Sequence, residues 1–313
     1  SWTVRLLGDT REISHHLAER LDEFAEQEPS VDVRQQIACS AARFPANIAM
    51  PMINANINRD IDTNDPYLPL LWWWAVEKHS VSGREEVMKR FVRPSLWKSQ
   101  LGSQFLLTRL IRRYSAEGTT AGLDSVAQLL KSAPEISARQ TLWPHVLLGW
   151  QQIPREMMTA DWLKFAQKHE VSQLLLSDWK SAPGDLALIH LGIAIGLTDP
   201  FESAFQEAFA PQTVVSRRVS LITMLAATGH PLLVAPAINL LTSEQPLAVR
   251  SAALQILSRS DDPQITPHLI KQHQLLQDSS LQSQIRDVLL GKPQSALAWL
   301  TAVDRGEIPA SVT

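Results

Sequence analysis

The chain has 313 residues, 45% hydrophobic and 19% charged, with 12 glycines and 19 prolines; this balance supports an ordered core and excludes a long disordered tail. A formal net charge of -3 and an isoelectric point near 6.3 supply no global basic field for nucleic acid or an anionic membrane surface. The single cysteine, Cys39, excludes an intrachain disulfide, a cysteine-based zinc site and a C-x-x-C-H haem attachment within these residues.

Taken in chain order, SWTVRLLGD opens in mid-pattern at Ser1 without an initiator Met, which predicts a segment of a longer protein. VRQQIACSAARF has apolar residues at three- and four-residue steps, so Cys39 is expected to behave as a small buried hydrophobe on a helix. NRDIDTNDP (58–66) carries Asp60, Asp62 and Asn64 at alternate positions, as a calcium loop would. An EF-hand requires Gly at its sixth position and Glu at its twelfth, where this chain has Asp65 and Leu71, so a polar turn ending in an Asp65 N-cap is the better reading.

Next comes LPLLWWWAVEKH, with three consecutive tryptophans. At about 100° per residue, Trp72, Trp73 and Trp74 spread over roughly 200° of a helix, so they need at least two environments. Two rings are expected in the core, with the third at a hairpin edge or on the inner surface, where it could contact a partner or ligand. LGSQFLLTRLIRRY then places Arg109, Arg112 and Arg113 on one face, either as a solvated stripe or as a patch for an anionic partner. LALIHLGIAIGL and LPLLWWWAV are the longest apolar runs and reach only about half of the ~20 residues that a membrane helix needs, so no span is expected. His190 inside the first of these runs reads as a buried imidazole. The pairs His15-His16 and His268 with His273 have poor chelating spacing.

Asp65-Pro66, Asp199-Pro200 and Asp262-Pro263 each put an N-cap acceptor before a proline and predict helix starts, with Asp199 and Glu202 at capping-box spacing. The breaks EGTTAG, KSAPE, KSAPGD, TGHP, SRSDDP and GKPQ predict hairpins joined by short turns. An internal repeat runs through these helices. Arg34, Arg250 and Arg218 each open an apolar helix, and Pro51, Pro267 and Pro236 follow them by 17, 17 and 18 residues in a second helix. Repeats of this size predict an all-α solenoid, an armadillo-type superhelix of about eight or nine hairpins. We expect hairpins at 1–28, 30–59, 65–92, 95–132, 135–170, 183–210, 212–243, 246–274 and 279–305 in one domain, 1–313. From about Arg93 to Phe209 the repeat signature fades. Neither end has a polar closing helix, which predicts flanking sequence on both sides.

The P-x-x-V-R first helix and the proline-bearing second helix resemble those of HEAT repeats. That resemblance implies a ladder of Arg with a nearby Asp; Asp32 precedes Arg34, whereas Ala248 takes that place before Arg250. More narrowly, WTVRLLGD, EPSVDVRQQIACSAARFP, DPYLPLLWWWAVEKH and ALAWLTAVDRGEIP together resemble the HEAT-like segment of large planctomycete-type secreted proteins. There the segment lies between a propeller described as a membrane-bound dehydrogenase and a C-terminal c-type haem domain. The resemblance implies an extracytoplasmic location, a haem held outside this chain, and no catalytic residue, cofactor or metal within it.

G-x-S-x-G, P-loop and Rossmann glycine patterns are missing from the sequence. The expected function is therefore a non-catalytic scaffold or protein-interaction module that positions neighbouring domains or partners, with Trp72, Trp73, Trp74, Arg109, Arg112 and Arg113 as candidate partner-binding residues. Two alternatives stand beside it. One is an enzyme of the HEAT-like DNA glycosylase type, using Trp73 or Trp74 with Glu77 one turn away and lacking phosphate attraction at this net charge. The other is a stand-alone adaptor.

Overall fold

A computed structural model describes residues 2–11, 13–57, 59–242, 244–276 and 278–308, and these are all-α, with no strand among the described residues. The chain forms two compact units, 1–191 and 192–313. In chain order the helices of the first are α1 (Trp2–Thr10), α2 (His15–Gln27), α3 (Val31–Ala41), α4 (Ala46–Ile57), α5 (Leu68–His79) and α6 (Arg84–Phe91). A 3₁₀ turn (Pro94–Lys98) and a π-helical stretch (Leu101–Leu106) lead into α7 (Leu107–Ser115), α8 (Thr120–Lys131), α9 (Ile136–Gln140), α10 (Trp143–Trp150), α11 (Ala160–Lys168) and α12 (Glu170–Ser181). Helix α13 (Leu186–Ile195) carries the division between the units. The second unit continues with α14 (Thr198–Phe209), α15 (Val215–Ala226), α16 (Val234–Asn239), α17 (Leu247–Ser258), α18 (Ile265–Leu275), α19 (Ser279–Leu290) and α20 (Pro293–Asp304).

Packing in the first unit follows alternate helices. α1 lies on α3, α3 on α5, α5 on α7 and α7 on α10, while α2 lies on α4, α4 on α6, α6 on α8 and α8 on α12. In the second unit α15 lies on α17 and α17 on α19, and α16 on α18 and α18 on α20. Each inner helix is therefore apolar on two sides. In α3, Ile37, Ala38 and Ala41 are fully buried, and Ser40 on another side donates to the Val4 carbonyl of α1 at 3.1 Å. At that crossing a Cβ on Gly8 would fall 2.8 Å from the Ser40 Cβ, so the helices approach this closely only with glycine there. Cys39 falls between these contact faces and is exposed, contrary to the expected burial.

Buried arginines tie successive helix pairs together. Arg34 on α3 donates from Nε to both carboxylate oxygens of Asp62 (3.0 and 3.1 Å) and from Nη2 to Oδ1 at 2.6 Å, and its Nη1 reaches the Pro29 carbonyl at 2.7 Å. Its partner is thus the aspartate in the turn before α5, whereas Asp32, on the outer side of the first turn, is exposed. Arg218 repeats the arrangement in the second unit with neutral acceptors, the Ala208 carbonyl at 3.2 Å and Gln245 Oε1 at 3.1 Å.

Several expected helix starts are displaced. The Asp65 carboxylate accepts from the N–H groups of Tyr67 and Leu68 (2.9 and 2.8 Å), so α5 begins two residues after Pro66. Asp262 likewise accepts from Gln264 N–H at 2.8 Å ahead of α18. Asp199 caps nothing from outside, because α14 already starts at Thr198 and Asp199 and Pro200 form its first turn. Pro267 and Pro236 sit in first turns, where a missing N–H leaves no bond unmade, whereas Pro51 interrupts the interior of α4. Helix α12 fills residues between 170 and 183 that the sequence pattern left unassigned. Residues 58, 243 and 309–313, which include part of the expected second and seventh hairpins and of the C-terminal end, lie outside the described residues.

Asp62→Ala should destabilise the first unit by about 3–5 kcal/mol, because it strands a buried guanidinium, while the double replacement Arg34→Met with Asp62→Leu should recover most of that loss. Urea denaturation of the three chains checks both statements. A pH series tests a second consequence of burial. Burial is the leading cause that holds His79, His145, His190 and His273 below the ordinary histidine value of 6.5; the Ala41 carbonyl partly offsets it at His79. The unfolded chain then binds protons near pH 6.5 while the folded one stays neutral. Stability should be complete above about pH 6.5 and fall as the pH drops through the lower folded values. The depressed carboxylates of Asp60 and Glu207 add the same trend only further into acid, and Asp22, raised by burial, opposes it there. A urea midpoint that is flat from pH 7 to about pH 5 would contradict the burial of these imidazoles.

Candidate functional site

The three tryptophans of α5 divide as their angular spread requires. Trp72 is 0% exposed and Trp73 8%, whereas Trp74 is 56% exposed. Helix α5 packs on α3 on one side and on the π-helical stretch and α7 on the other, which provides the two buried environments. Trp72 Nε1 has no hydrogen-bond partner, so this ring is held by packing alone.

Of the candidate residues, Trp73, Arg109, Arg112 and Arg113 come together around one surface pocket of about 270 Å³, with Glu77 and Gln152 also on its wall. Trp72 lies in the core and Trp74 on the surface of the same helix. The turn at 60–65 positions one side of this pocket. Asp60, with φ of 55°, accepts from Ser99 Oγ at 2.7 Å and from the N–H groups of Gln100 and Leu101, both at 2.9 Å, and so caps the helix that becomes α7. Burial raises its carboxyl, yet these bonds, led by Leu101 N–H, outweigh burial and hold it below the usual range. The expected polar turn is therefore divided among three tasks, with Asp60 on α7, Asp62 on Arg34 and Asp65 on α5. Asn58, at the start of the expected loop, lies outside the described residues.

The helix capped by Asp60 begins with a π turn, in which the Leu107 N–H reaches the Gly102 carbonyl. One extra residue in a turn rotates everything that follows by about 100° relative to an unbroken α-helix. This register carries Arg109, Arg112 and Arg113 to the pocket. On the far side, α10 lies against α7 so closely that a Cβ on Gly149 would fall 2.3 Å from the Arg112 carbonyl oxygen, and Gln152 follows in the turn after α10.

The three guanidinium groups are unequally engaged. Arg113 Nη1 stands 3.7 Å from Glu117, whose other oxygen accepts from Arg84 at 2.6 Å. Arg109 lies 3.4 Å over the Phe105 ring and donates to the Phe105 carbonyl at 3.2 Å. Burial first, and then the charge of Arg112, lowers the Arg109 value. Burial, followed by the charges of Arg109 and Arg112, lowers His145 beside them. The local field is positive although the chain as a whole is acidic.

Elsewhere, His16 is exposed, as is His268, which meets the Gln264 carbonyl at 2.9 Å, while buried His273 stands edge-on to Trp299 at 4.7 Å; the His15 side chain lies outside the described residues. Among the described residues no group of three or more His, Cys, Asp or Glu side chains is placed to hold a metal ion, and no helix is long and apolar enough to cross a membrane. No family model, curated protein or solved structure matches the chain.

Single replacements sort the three rings. Trp72→Ala should cost about 3–5 kcal/mol, as expected for removal of a fully buried large side chain, whereas Trp74→Ala should change stability by less than ~0.5 kcal/mol. Thermal melts in which the two variants lose stability equally would contradict the division of α5 into buried and exposed rings.

Proposed function

We propose that this chain is a HEAT-like α-solenoid segment, of about eight or nine hairpins, that acts as a non-catalytic scaffold or protein-interaction module. The observation that supports this reading is the alternation of contacts within each unit, where first helices stack on first helices and second helices on second helices. A stack of this kind presents successive helix ends and turns as a repeated surface for partners. The resemblance of its residue phrases to planctomycete-type secreted proteins extends the proposal to an extracytoplasmic protein in which this segment would space a dehydrogenase propeller and a c-type haem domain lying outside it.

The glycosylase-type reading draws on one specific feature, the meeting of Trp73, Glu77 and three arginines at one pocket. Against it stand the burial of Trp73 and the position of Trp74, whose exposed ring does not line the pocket. An extruded base must stack on an open ring face, and at 8% exposure the Trp73 ring offers almost none. A net charge of -3 also gives weak long-range attraction for phosphates.

Incubation with duplex DNA that contains a damaged base should yield no excised base and no strand break after alkaline treatment. Turnover that disappears in Glu77→Gln would replace the scaffold reading with the enzymatic one. The complete coding sequence offers a second check, since the haem-protein assignment requires a C-x-x-C-H motif downstream of this segment.

A further inference from the structure

The pocket between α5, α7 and α10 sets three arginines against the single carboxylate of Glu77 on its wall. Arg112 is exposed, and neither it nor Arg109 has a carboxylate partner among the described residues, while Arg113 shares Glu117 with Arg84. A separate pocket of about 370 Å³ at the C-terminal ends of α3 and α5 is lined by Arg11, Arg43, Lys78 and buried His79. Arg43 there is paired with Asp9, and His79 Nε2 meets the Ala41 carbonyl at 2.9 Å. Cations near helix C-termini complement the helix dipole, which accounts for Lys78 and, in the last turn of α7, for Arg112 and Arg113. It does not account for Arg109, in the first turn of α7, opening on the same pocket, nor does it supply Arg109 and Arg112 with a carboxylate at salt-bridge distance.

We infer that this pocket receives a carboxylate side chain from an extended acidic peptide of a protein partner, the peptide running across the C-terminal ends of α3, α5 and α7. The inference rests on the scaffold reading and names its ligand chemistry. Four observations select this occupant. The pocket, at about 270 Å³ and open to the surface, has room for a side chain. Arginine forks match carboxylates with two parallel hydrogen bonds. Packed helices stand about 8–10 Å apart, and a chain in the polyproline II conformation advances about 3.1 Å per residue with about three residues per turn, so acidic residues at every third position share one face and meet successive helices. Glu77 on the wall and the overall charge of -3 disfavour the denser charge of nucleic acid.

The test uses the full chain and a fluorescein-labelled peptide of Glu-Gly-Ser repeats, followed by anisotropy at about 0.05 M NaCl, where screening is weaker than at physiological salt. Saturable binding is expected, and it should vanish for the matching Gln-Gly-Ser peptide. Arg109→Gln and Arg112→Gln should each weaken it by about tenfold or more, the loss of a charge-assisted hydrogen bond. Lys164→Gln, which removes the same charge from an exposed position on α11, should leave it unchanged. Melting curves accompany each variant, and if Arg112→Gln melts early, Arg112→Lys keeps the charge without the fork and should still bind more weakly. Absence of binding, equal affinity in the arginine and Lys164 variants, or displacement of the peptide by duplex DNA at lower concentration would overturn the inference. None of these results would by itself remove the scaffold reading, which falls on damaged-base turnover instead.

Discussion

The structure depends most on arginines that tie one helix pair to the next, buried at Arg34 and Arg218 and part-buried at Arg84 and Arg139, whereas buried Arg250 leaves Nε and Nη2 without a partner. A guanidinium taken from water costs several kcal/mol unless its donors are matched by well-placed acceptors. Arg34 meets this demand with the two oxygens of Asp62 and two backbone carbonyls, and thereby fixes the turn between α4 and α5 against α3. Arg139 does the same for Asp178, which is fully buried and also accepts from Trp143 Nε1 at 2.7 Å. Arg84, stacked 4.5 Å over Tyr114, binds Glu117 and Ser125 Oγ. Hydrophobic burial supplies most of the energy of such stacks, but it is non-directional. The arginine contacts specify which turn lies over which helix.

That specification reaches the candidate site through the short polar turn at 59–65. Asp62 anchors it to α3, so Asp60 can cap the π-helical entry to α7 and Asp65 can cap α5. The two helices that line the pocket are thus started from a single turn. Gly149 then admits α10 close to α7, which completes the pocket. Movement of any one of these four contacts would displace the arginines relative to Trp73 and Glu77, although the three aspartates lie outside the pocket.

Much of this was legible in the residues, because helical periodicity and turn chemistry are local. The three-way spread of Trp72, Trp73 and Trp74 follows from helix geometry alone, and the three- and four-residue steps of Arg109, Arg112 and Arg113 set them on one face. What escaped depended on distant partners. The exposed aspartate two residues before Arg34 looked like its natural mate, yet Asp62 lies 28 residues further on, and no pattern in the sequence links them. The π turn at 101–106 was hidden because its apolar spacing mimics an ordinary helix. Between 135 and 185, short helices such as α9 replaced regular pairs, so the repeat could not be followed and α12 was missed. Cys39 was misplaced because an inner helix of a stack buries two sides, and its exposed stripe is too narrow to be read from an apolar average.

The electrostatics of the pocket follow from the same architecture. The C-terminal ends of α3 and α5 line one pocket and the last turns of α5 and α7 another, and each end carries partial negative charge from unpaired carbonyls. Basic residues gather there to answer that charge, as Arg43, Lys78, Arg112 and Arg113 do. Once α5, α7 and α10 are packed, the basic side chains become neighbours of one another as well as of the dipoles. Burial is the leading cause that lowers Arg109 and His145 beside it, and the neighbouring arginine charges push in the same direction. A surface that is locally basic on an acidic chain is therefore a product of how the helices stack, and its sign sets the chemistry that a partner must bring.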